Sequence, residues 1–402
     1  MNGARERRRF LLAAFGDPGH VFPAIALGGE LARRGHAVCL QSWERWQEPA
    51  EAEGMRFEPT PEYKVFPQLG ERPLKPYQAA VAGAIATQPL IDELDPDAVV
   101  VDILTVAASL AAQRAGRRWV TLVPHVLPVH ERGRPPYSTG ARLPRTPIGA
   151  RLWELATPLL RRGEERGRRE LNGARERAGL EPLAYTHGGI SHQLTLIATF
   201  PQLEYPRSGW EPYMRVTGPL LWERPYEEVE LPPGDGPLVL VAPSTSQDPA
   251  GRVLRAALEG LADEPVRVIA TTNHRGGGER PAVPPNARLV DWLSYARTMP
   301  RCDLVVCHAG HGTVCRALAS GVPLVACPAE GDMAENAARV AWAGAGVSLP
   351  RRLATARGIR LATRRVLADP SYAERARDLA EWAERFDGRS LAADQLERFV
   401  AA

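Results

Sequence analysis

The sequence predicts an α/β protein with two doubly wound halves that face each other across a cleft. An apolar run at residues 10–15 is followed by a Gly/Pro loop, a helix-like segment and a second apolar run at 36–41, which is the order of a βαβ unit. The alternation returns at 95–124 and again at 303–328. With 402 residues, the chain is also too long for most single hydrophobic cores.

The elements of the first half follow from local patterns. The loop G-D-P-G-H-V-F-P separates the first strand from a helix that is predicted to begin near Pro23 and to end at Gly35, because proline suits a first helical turn and glycine a helix end. The run A-V-V-V before Asp102 predicts a buried parallel strand. Residues 194–206 are predicted to hold the last strand of this half.

Changes in composition predict the domain boundaries. Residues 1–215 form the first domain, and the Pro- and Gly-dense segment 216–237 forms a linker. Residues 238–370 form the second domain. The charged, amphipathic tail 371–402 is predicted to be helical and to pack back on the first domain.

The segment between Pro124 and Gly149 is rich in Pro, Gly and Arg. It is too long for an ordinary connection, so it is either a functional loop or a mobile one. An Arg- and Glu-rich helical segment is predicted to follow at 150–179.

Composition and charge exclude several classes of protein. Hydrophobic residues make up 44% and charged residues 24%, the balance of an ordinary globular protein. The 50 basic and 47 acidic residues are spread along the chain, so no nucleic-acid partner is expected. No stretch reaches the ~18 apolar residues of a membrane span, and Gly16 interrupts the first apolar run too soon for a signal peptide. A cytoplasmic protein without an integral membrane segment is expected, and its oligomeric state is not predicted.

A metal site is considered where four of the five cysteines cluster. Cys302, Cys307, Cys315 and Cys327 share a short window with two histidines, but no C-x-x-C pair occurs and two of these cysteines lie in strand-like runs. The D-x-D sequence at 95–97 precedes a strand, which is the wrong end of a parallel sheet for a ligand. We therefore expect no metal and no cofactor.

The loop H-A-G-H-G-T, which follows the strand D-L-V-V-C, is a candidate anion site. Gly310 and Gly312 leave backbone N–H groups open at the start of a predicted helix, whose positive end favours a phosphate. His308 and Thr313 could add hydrogen bonds. The loop lacks both G-K-[ST] and G-x-G-x-x-G, so neither a P-loop nor a dinucleotide site is expected. The same glycines could also serve only a tight turn.

Two further segments could complete this site. Ser244 and Thr245 follow the first strand of the second half, where their hydroxyls could reach the same phosphates or simply cap a helix. Trp292 follows the strand-like run A-R-L-V, where its ring could stack on a nucleobase or belong to the core.

His20 and Asp102 form a candidate acid–base pair in the first half. Each stands at the carboxyl end of a predicted strand of one parallel sheet, so the two could meet at hydrogen-bonding distance. Asp102 would then orient the imidazole and stabilise its cation, although a lone Asp there could equally be a helix cap. The helix dipole near His20 favours the neutral base and Asp102 favours the cation, and the sequence does not rank these two effects.

Together these segments resemble the GT-B glycosyltransferases, the nucleotide-sugar-dependent kind that glycosylate macrolides, enediynes and plant secondary metabolites. The resemblance rests on G-H-V-F-P, P-D-A-V-V-V-D, V-T-G-P-L and, most specifically, on D-W-L-S, H-A-G-H-G-T and G-V-P-L-V-A-C-P-A-E-G-D-M in the second half. It implies two Rossmann-like domains, with the acceptor bound by the first and the sugar nucleotide by the second.

The resemblance also implies roles for individual residues. His20 and Asp102 would be the catalytic dyad of an inverting transferase. The donor site would comprise Ser244, Thr245, Trp292, His308, Gly310, Gly312, Thr313, Asp332 and Met333, with Trp292 on the base, the loop residues on the diphosphate and Asp332 on sugar hydroxyls.

Two positions depart from the family pattern. Arg316 stands where a Glu usually contacts the ribose, which puts that contact in doubt. Met333 stands where a Gln often follows the Asp, and a thioether is a poor hydrogen-bonding group. Because an apolar group leaves no polar partner unpaired, we expect tolerance of a deoxysugar donor.

The acceptor is expected to be a small aromatic or polyketide-like natural product. Trp43, Tyr63, Phe66 and His125 follow strands of the first half and suit a flat apolar molecule, although they equally suit ordinary packing. The predicted function is transfer of a hexose or deoxyhexose from a UDP- or dTDP-sugar to an acceptor hydroxyl. The alternatives are a non-catalytic auxiliary protein that binds sugar nucleotides, and a sugar-nucleotide epimerase of the same fold.

Overall fold

The computed structural model contains two parallel sheets. It describes residues 6–60, 76–185, 189–244, 251–273, 280–329 and 331–402. The sites predicted at Tyr63, Phe66 and Thr245 lie outside these residues.

The first sheet has the strand order β3-β2-β1-β4-β5-β6-β7 within the described residues, and all of its strand pairs are parallel. Its strands are β1 (Arg9–Ala13), β2 (Ala37–Ser42), β3 (Arg56–Pro59), β4 (Ala98–Asp102), β5 (Trp119–Val123), β6 (Thr195–Ile197) and β7 (Met214–Val216). The last strand is therefore β7, at the sheet edge, rather than the predicted run 194–206, in which Pro201 follows β6 after three residues and begins a 3-10 turn.

The second sheet has the order β10-β9-β8-β11-β12-β13, again parallel throughout. Its strands are β8 (Leu238–Ala242), β9 (Arg267–Thr271), β10 (Ala287–Val290), β11 (Leu304–Cys307), β12 (Leu324–Ala326) and β13 (Gly346–Ser348). The pattern 3-2-1-4-5-6 is that of a doubly wound nucleotide-binding domain.

Helices cover both faces of the sheets. They are α1 (Pro18–Arg33), α2 (Gln47–Ala52), α3 (Pro76–Leu94), α4 (Val106–Arg114), α5 (Pro147–Glu154), α6 (Thr157–Arg177), α7 (Arg252–Leu261), α8 (Tyr295–Thr298), α9 (His311–Ala319), α10 (Asp332–Ala343), α11 (Ala356–Ala368), α12 (Pro370–Arg385) and α13 (Gly388–Ala401). Strand β1 shows why both faces are apolar: Phe10 and Leu12 pack into one buried cluster and Leu11 and Ala13 into another. None of the described helices combines the length and apolar character needed to cross a membrane.

The tail folds as two helices that pack on different halves. Helix α12 lies against α9 of the second half. Helix α13 lies against α1, and Arg34 of α1's C-terminal cap donates to Asp394 at 2.6 Å and to Glu397 at 3.1 Å. Leu396 is fully buried in the core of the first half.

Helix α1 begins at Pro18, five residues before the predicted start. Pro18 occupies the first turn, where no N–H is needed, and the Asp17 carbonyl accepts from the backbone N–H of His20 at 2.9 Å. Pro23 is accommodated inside the helix. His20 therefore belongs to the first turn of α1, at the positive end of its dipole.

Candidate active site

Each sheet reverses its strand order at one crevice, and the predicted site residues lie there. In the first sheet the reversal falls between β1 and β4, and in the second between β8 and β11. Ligands of open parallel sheets bind at the carboxyl ends of the strands at this point. The loops after β1 and β11 carry His20 and His308, respectively.

The structure brings His20 and Asp102 together. Nδ1 of His20 lies 2.7 Å from Oδ1 of Asp102, whose side chain is fully buried, whereas the His20 side chain is 18% exposed. The other carboxylate oxygen accepts from the backbone N–H of Phe15 at 3.4 Å and of Leu104 at 3.3 Å. Asp102 is thus held in place, and it is suited to keep Nδ1 of His20 protonated and Nε2 available as a base.

Opposing effects act on the pKa of His20. Burial by itself lowers this pKa, but the charge and hydrogen bond of Asp102 outweigh burial, and Asp332 and Asp17 add smaller raising effects. The pKa of His20 is therefore raised above its ordinary value.

A cavity of about 430 Å³ lies between the two halves. From the first half it is lined by Gly19 and Phe22, at the start of α1, and from the second by the loop before α9. Linker residues 219–224 form part of the wall. The cavity therefore joins the β1 loop of one half to the β11 loop of the other.

The predicted anion loop lines this cavity. His308, Gly310, Gly312 and Thr313 all contribute to the wall, and α9 begins at His311. Nδ1 of His308 lies 3.2 Å from the Ala242 carbonyl at the end of β8. An added Cβ at Gly310 would lie 2.3 Å from Nε2 of His308, so glycine is required for the ring to lie over the loop.

Trp292 also lines the cavity, but one face of its ring is covered. Tyr226 of the linker stacks on Trp292 with ring centroids 5.4 Å apart and planes 10° apart. Ser244 is buried two residues after the end of β8. A nucleobase could use only the opposite face of Trp292.

Arg316 lines the same cavity, one helical turn after Thr313 on α9. Burial lowers its pKa, an effect that the charge of Glu223 partly offsets. A cation therefore stands where the resemblance implied a carboxylate.

Asp332 and Met333 begin α10 in different environments. Asp332 is half-buried, and its carboxylate accepts from Nδ2 of Asn336 at 3.3 Å. Met333 is buried in the apolar core beside the sheet of the second half. The predicted contact of Asp332 with sugar hydroxyls stays a prediction.

Of the two described acceptor residues, His125 contacts His20 and Trp43 contacts Phe15. The Phe15 ring lies between Trp43 and His20, with centroid distances of 5.0 and 6.0 Å, respectively. The His125 ring meets His20 edge to face at 6.2 Å. Burial lowers the pKa of His125, so this second imidazole is neutral.

The cysteines are free and buried. Among the described residues, no group of three or more His, Cys, Asp or Glu side chains is arranged to hold a metal ion. The D-x-D carboxylate of Asp95 pairs with Arg9 at 2.6 Å, at the amino end of the first sheet.

Sequence reasoning missed Tyr226 and Glu223 in the linker, and Tyr137 in the long loop after β5. Glu223 caps α8 by accepting from the Tyr295 N–H at 2.6 Å. The sequence signal for the two tyrosines was an aromatic residue within a Pro-rich segment, as in R-P-Y and P-P-Y. Such segments seldom need aromatic side chains for packing.

Two doubly wound domains with a cleft at their switch points, an anion loop on one side and a His–Asp pair on the other, define a GT-B architecture. Comparisons with known proteins agree. Residues 10–146 match the glycosyltransferase family 28 N-terminal domain, and residues 255–385 match the erythromycin biosynthesis protein CIII-like C-terminal domain.

One relative is 4'-demethylrebeccamycin synthase of Lentzea aerocolonigenes, which is 31% identical over 98% of this chain and 99% of its own length. The solved glycotransferase of kitacinnamycin superposes with a TM-score of 0.76 at 21% identity, covering 98% of this chain and 99% of its own. Spinosyn rhamnosyltransferase SpnG complexed with thymidine diphosphate gives 0.68 at 18% identity, covering 97% and 100% of the two chains. The chain belongs to this family of GT-B glycosyltransferases and is a glycosyltransferase.

Proposed function

We propose that this enzyme transfers a hexose or deoxyhexose, with inversion, from a UDP- or dTDP-sugar to a hydroxyl of a small natural-product aglycone, and that His20 is the general base. The observation that carries the proposal is the 2.7 Å contact between His20 and the buried Asp102, next to the interdomain cavity. The natural-product names of the relatives support the acceptor class.

The proposed chemistry uses one displacement. Nε2 of His20 takes the acceptor hydroxyl proton as the acceptor oxygen attacks the anomeric carbon, and the bond from that carbon to the diphosphate breaks. Asp102 stabilises the imidazolium, while the N–H groups at the start of α9, His308 and Thr313 stabilise the leaving diphosphate. This route asks for no metal.

Arg316 supports a dTDP-sugar over a UDP-sugar. A carboxylate would accept hydrogen bonds from two ribose hydroxyls, whereas the guanidinium of Arg316 can only donate. The 2′-hydroxyl that distinguishes a ribonucleotide then has no carboxylate to accept its hydrogen bond. A deoxyribonucleotide, which lacks this hydroxyl, therefore loses little binding free energy. The thymidine diphosphate complex of SpnG, a rhamnosyltransferase, is consistent with this preference.

Replacing His20 tests the base. His20→Ala is expected to lower transfer by about 10²- to 10⁴-fold while the dissociation constant of the nucleoside diphosphate stays unchanged. Near-normal turnover would exclude His20 as the base. An auxiliary protein would consume no donor in this assay, and an epimerase would convert the sugar nucleotide without an acceptor.

A donor panel tests the preference in two steps. Comparing UDP-glucose with dTDP-glucose isolates the nucleotide, and comparing dTDP-glucose with a dTDP-deoxyhexose isolates the sugar. A clear preference for UDP-glucose would contradict the deoxysugar proposal.

A further inference from the structure

The long loop after β5 reaches across the cleft to the other half. We define it as the strap, residues 125–146, between the end of β5 and the start of α5. Its tip is a tight turn in which Oγ1 of Thr139 donates to the Pro136 carbonyl at 2.7 Å. Ser138 and Gly140 both adopt left-handed backbone angles, with φ of 66° and 63°. A left-handed serine is unfavourable and persists where surrounding contacts impose it.

The tip of the strap lies directly on α10. A Cβ added at Gly140 would stand 2.8 Å from Cβ of Ala334 and 3.0 Å from its carbonyl oxygen. No side chain fits between the two backbones, so the contact requires glycine. Tyr137 packs against the apolar cluster that holds Met333, in the first turn of the same helix.

The base of the strap is also tied to α10, through buried charges. The Glu204 carboxylate accepts from the Leu127 N–H and lies 3.5 Å from the guanidinium of Arg339, on α10. Arg207 donates to the carbonyls of Leu127 and Val129 at 3.0 and 2.8 Å. Two separate contacts thus hold a loop of the first half on a helix of the second.

Between these contacts the strap faces the reacting groups. The Tyr137 hydroxyl lies 3.2 Å from Nδ1 of His125, whose ring meets that of His20. Burial, and then the negative charge of Asp332, raises the pKa of Tyr137, so the phenol is neutral. Asp332 also raises the pKa of His20. The strap, Asp332 and the proposed base therefore lie close together.

We infer that the strap, docked through Gly140 and Tyr137, forms the wall of the sugar subsite that excludes water and so decides whether the sugar goes to the acceptor or to water. The inference rests on the proposed function, because both outcomes begin with the same donor. In transfer, the acceptor oxygen bonds to the anomeric carbon and His20 takes its proton. In hydrolysis, a water oxygen does the same, and free sugar and nucleoside diphosphate result. The bond to the diphosphate breaks in both cases, so the partition depends on which oxygen reaches the anomeric carbon.

The experiment compares two glycines of the strap. Gly140→Ala adds a methyl group that collides with Ala334. The matched control is Gly133→Ala: φ is 77° there, but the nearest atom to the added Cβ is 3.6 Å away. Both variants bear the strain of a left-handed alanine, and only Gly140→Ala disturbs the docking. Adding Ala334→Gly to Gly140→Ala removes the nearest colliding atom and is expected to restore part of the effect.

Glycosylated product and free sugar are measured with donor and acceptor present. We expect Gly140→Ala to raise the ratio of hydrolysis to transfer on the order of tenfold, and Tyr137→Phe to raise it less. Gly133→Ala should keep the wild-type ratio. Equal ratios in the two glycine variants, or a loss of turnover in Gly140→Ala with the ratio unchanged, would overturn the inference.

Amide hydrogen exchange separates this inference from the proposed function. Gly140→Ala should speed exchange in residues 125–146 and at the start of α10, and Gly133→Ala should not speed it at α10. Unchanged exchange in Gly140→Ala would overturn the docking. A wild-type enzyme with a protected strap that consumed no donor would instead contradict the proposed function.

Discussion

The loops after β1 and β11 have similar sequences and different electrostatics. Both are glycine-containing turns from a parallel strand into a helix, and each places a histidine in the first turn of that helix: His20 in α1 and His311 in α9. His20 has a buried carboxylate at 2.7 Å, and its pKa is raised. His311 has an amide, Oδ1 of Asn336, at 3.4 Å from Nδ1, and burial lowers its pKa to about 4.

The difference teaches that burial lowers the pKa of both imidazoles, but that only the carboxylate partner of His20 outweighs this effect, whereas the amide and backbone partners of His311 do not. With Asp102, the first loop has a base that can accept and hold a proton. With backbone and amide partners, the second loop keeps a neutral imidazole next to the open N–H groups at the start of α9.

Removing the carboxylate should make the first loop electrostatically similar to the second. Asp102→Asn is expected to reduce kcat by about 10²- to 10⁴-fold, because the imidazolium loses its stabilising charge. Since the base must be neutral and its pKa is raised, kcat/KM of the wild type should fall as the pH drops through a value above 6.5. In Asp102→Asn this midpoint should move to lower pH, and an unmoved midpoint would show that another group titrates.

The two glycines of the first loop should differ in their effect on stability. A Cβ at Gly16 would lie 2.1 Å from the ring of Trp43, and a Cβ at Gly19 meets nothing within 4 Å. Gly16→Ala is expected to lower the free energy of unfolding by about 1–3 kcal/mol, through displacement of the indole. Gly19→Ala should leave it within about 0.5 kcal/mol. Urea unfolding measures both, and equal losses would contradict the packing argument.

A glycine in the second loop should affect donor binding instead. Gly310→Ala places a methyl group 2.3 Å from Nε2 of His308 and should move that ring off the anion loop. Donor affinity is expected to fall about tenfold, or about 1.4 kcal/mol, with the KM of the acceptor unchanged. Titration calorimetry with the nucleoside diphosphate tests this, and Gly163→Ala on α6, which meets nothing within 4 Å, is the control.

The smallest effect is expected from supplying the missing carboxylate to the second loop. Asn336→Asp places a negative charge beside Nδ1 of His311 and should raise the pKa of this imidazole from about 4. An NMR titration of the labelled imidazole measures the shift. If the pKa did not move, the partner would not be the deciding factor in this loop.

Much of the fold could be predicted from local patterns. Apolar runs such as A-V-V-V mark strands buried on both faces, and Gly35, with φ of 91°, ends α1 where the sequence placed its end. The predicted start of α1 was wrong because Pro18, and not Pro23, occupies the first turn, and Pro23 lies inside the helix. The short edge strand β7 escaped prediction because three residues carry too little periodicity.

The sequence by itself determined which residues could do the chemistry: His20 and Asp102 at strand ends, and a glycine loop at the start of a helix. Only the tertiary structure decided how these groups act. Burial lowers the pKa of His20, but Asp102 and Asp332, which are distant in sequence, help to raise it above its ordinary value. Tyr226 covers one face of Trp292, and Gly140 meets Ala334 across the cleft. Local patterns depend on residues that are neighbours along the chain. Electrostatic effects, burial and close contacts depend on distances between segments that are far apart in the sequence, and these distances are set only by the fold.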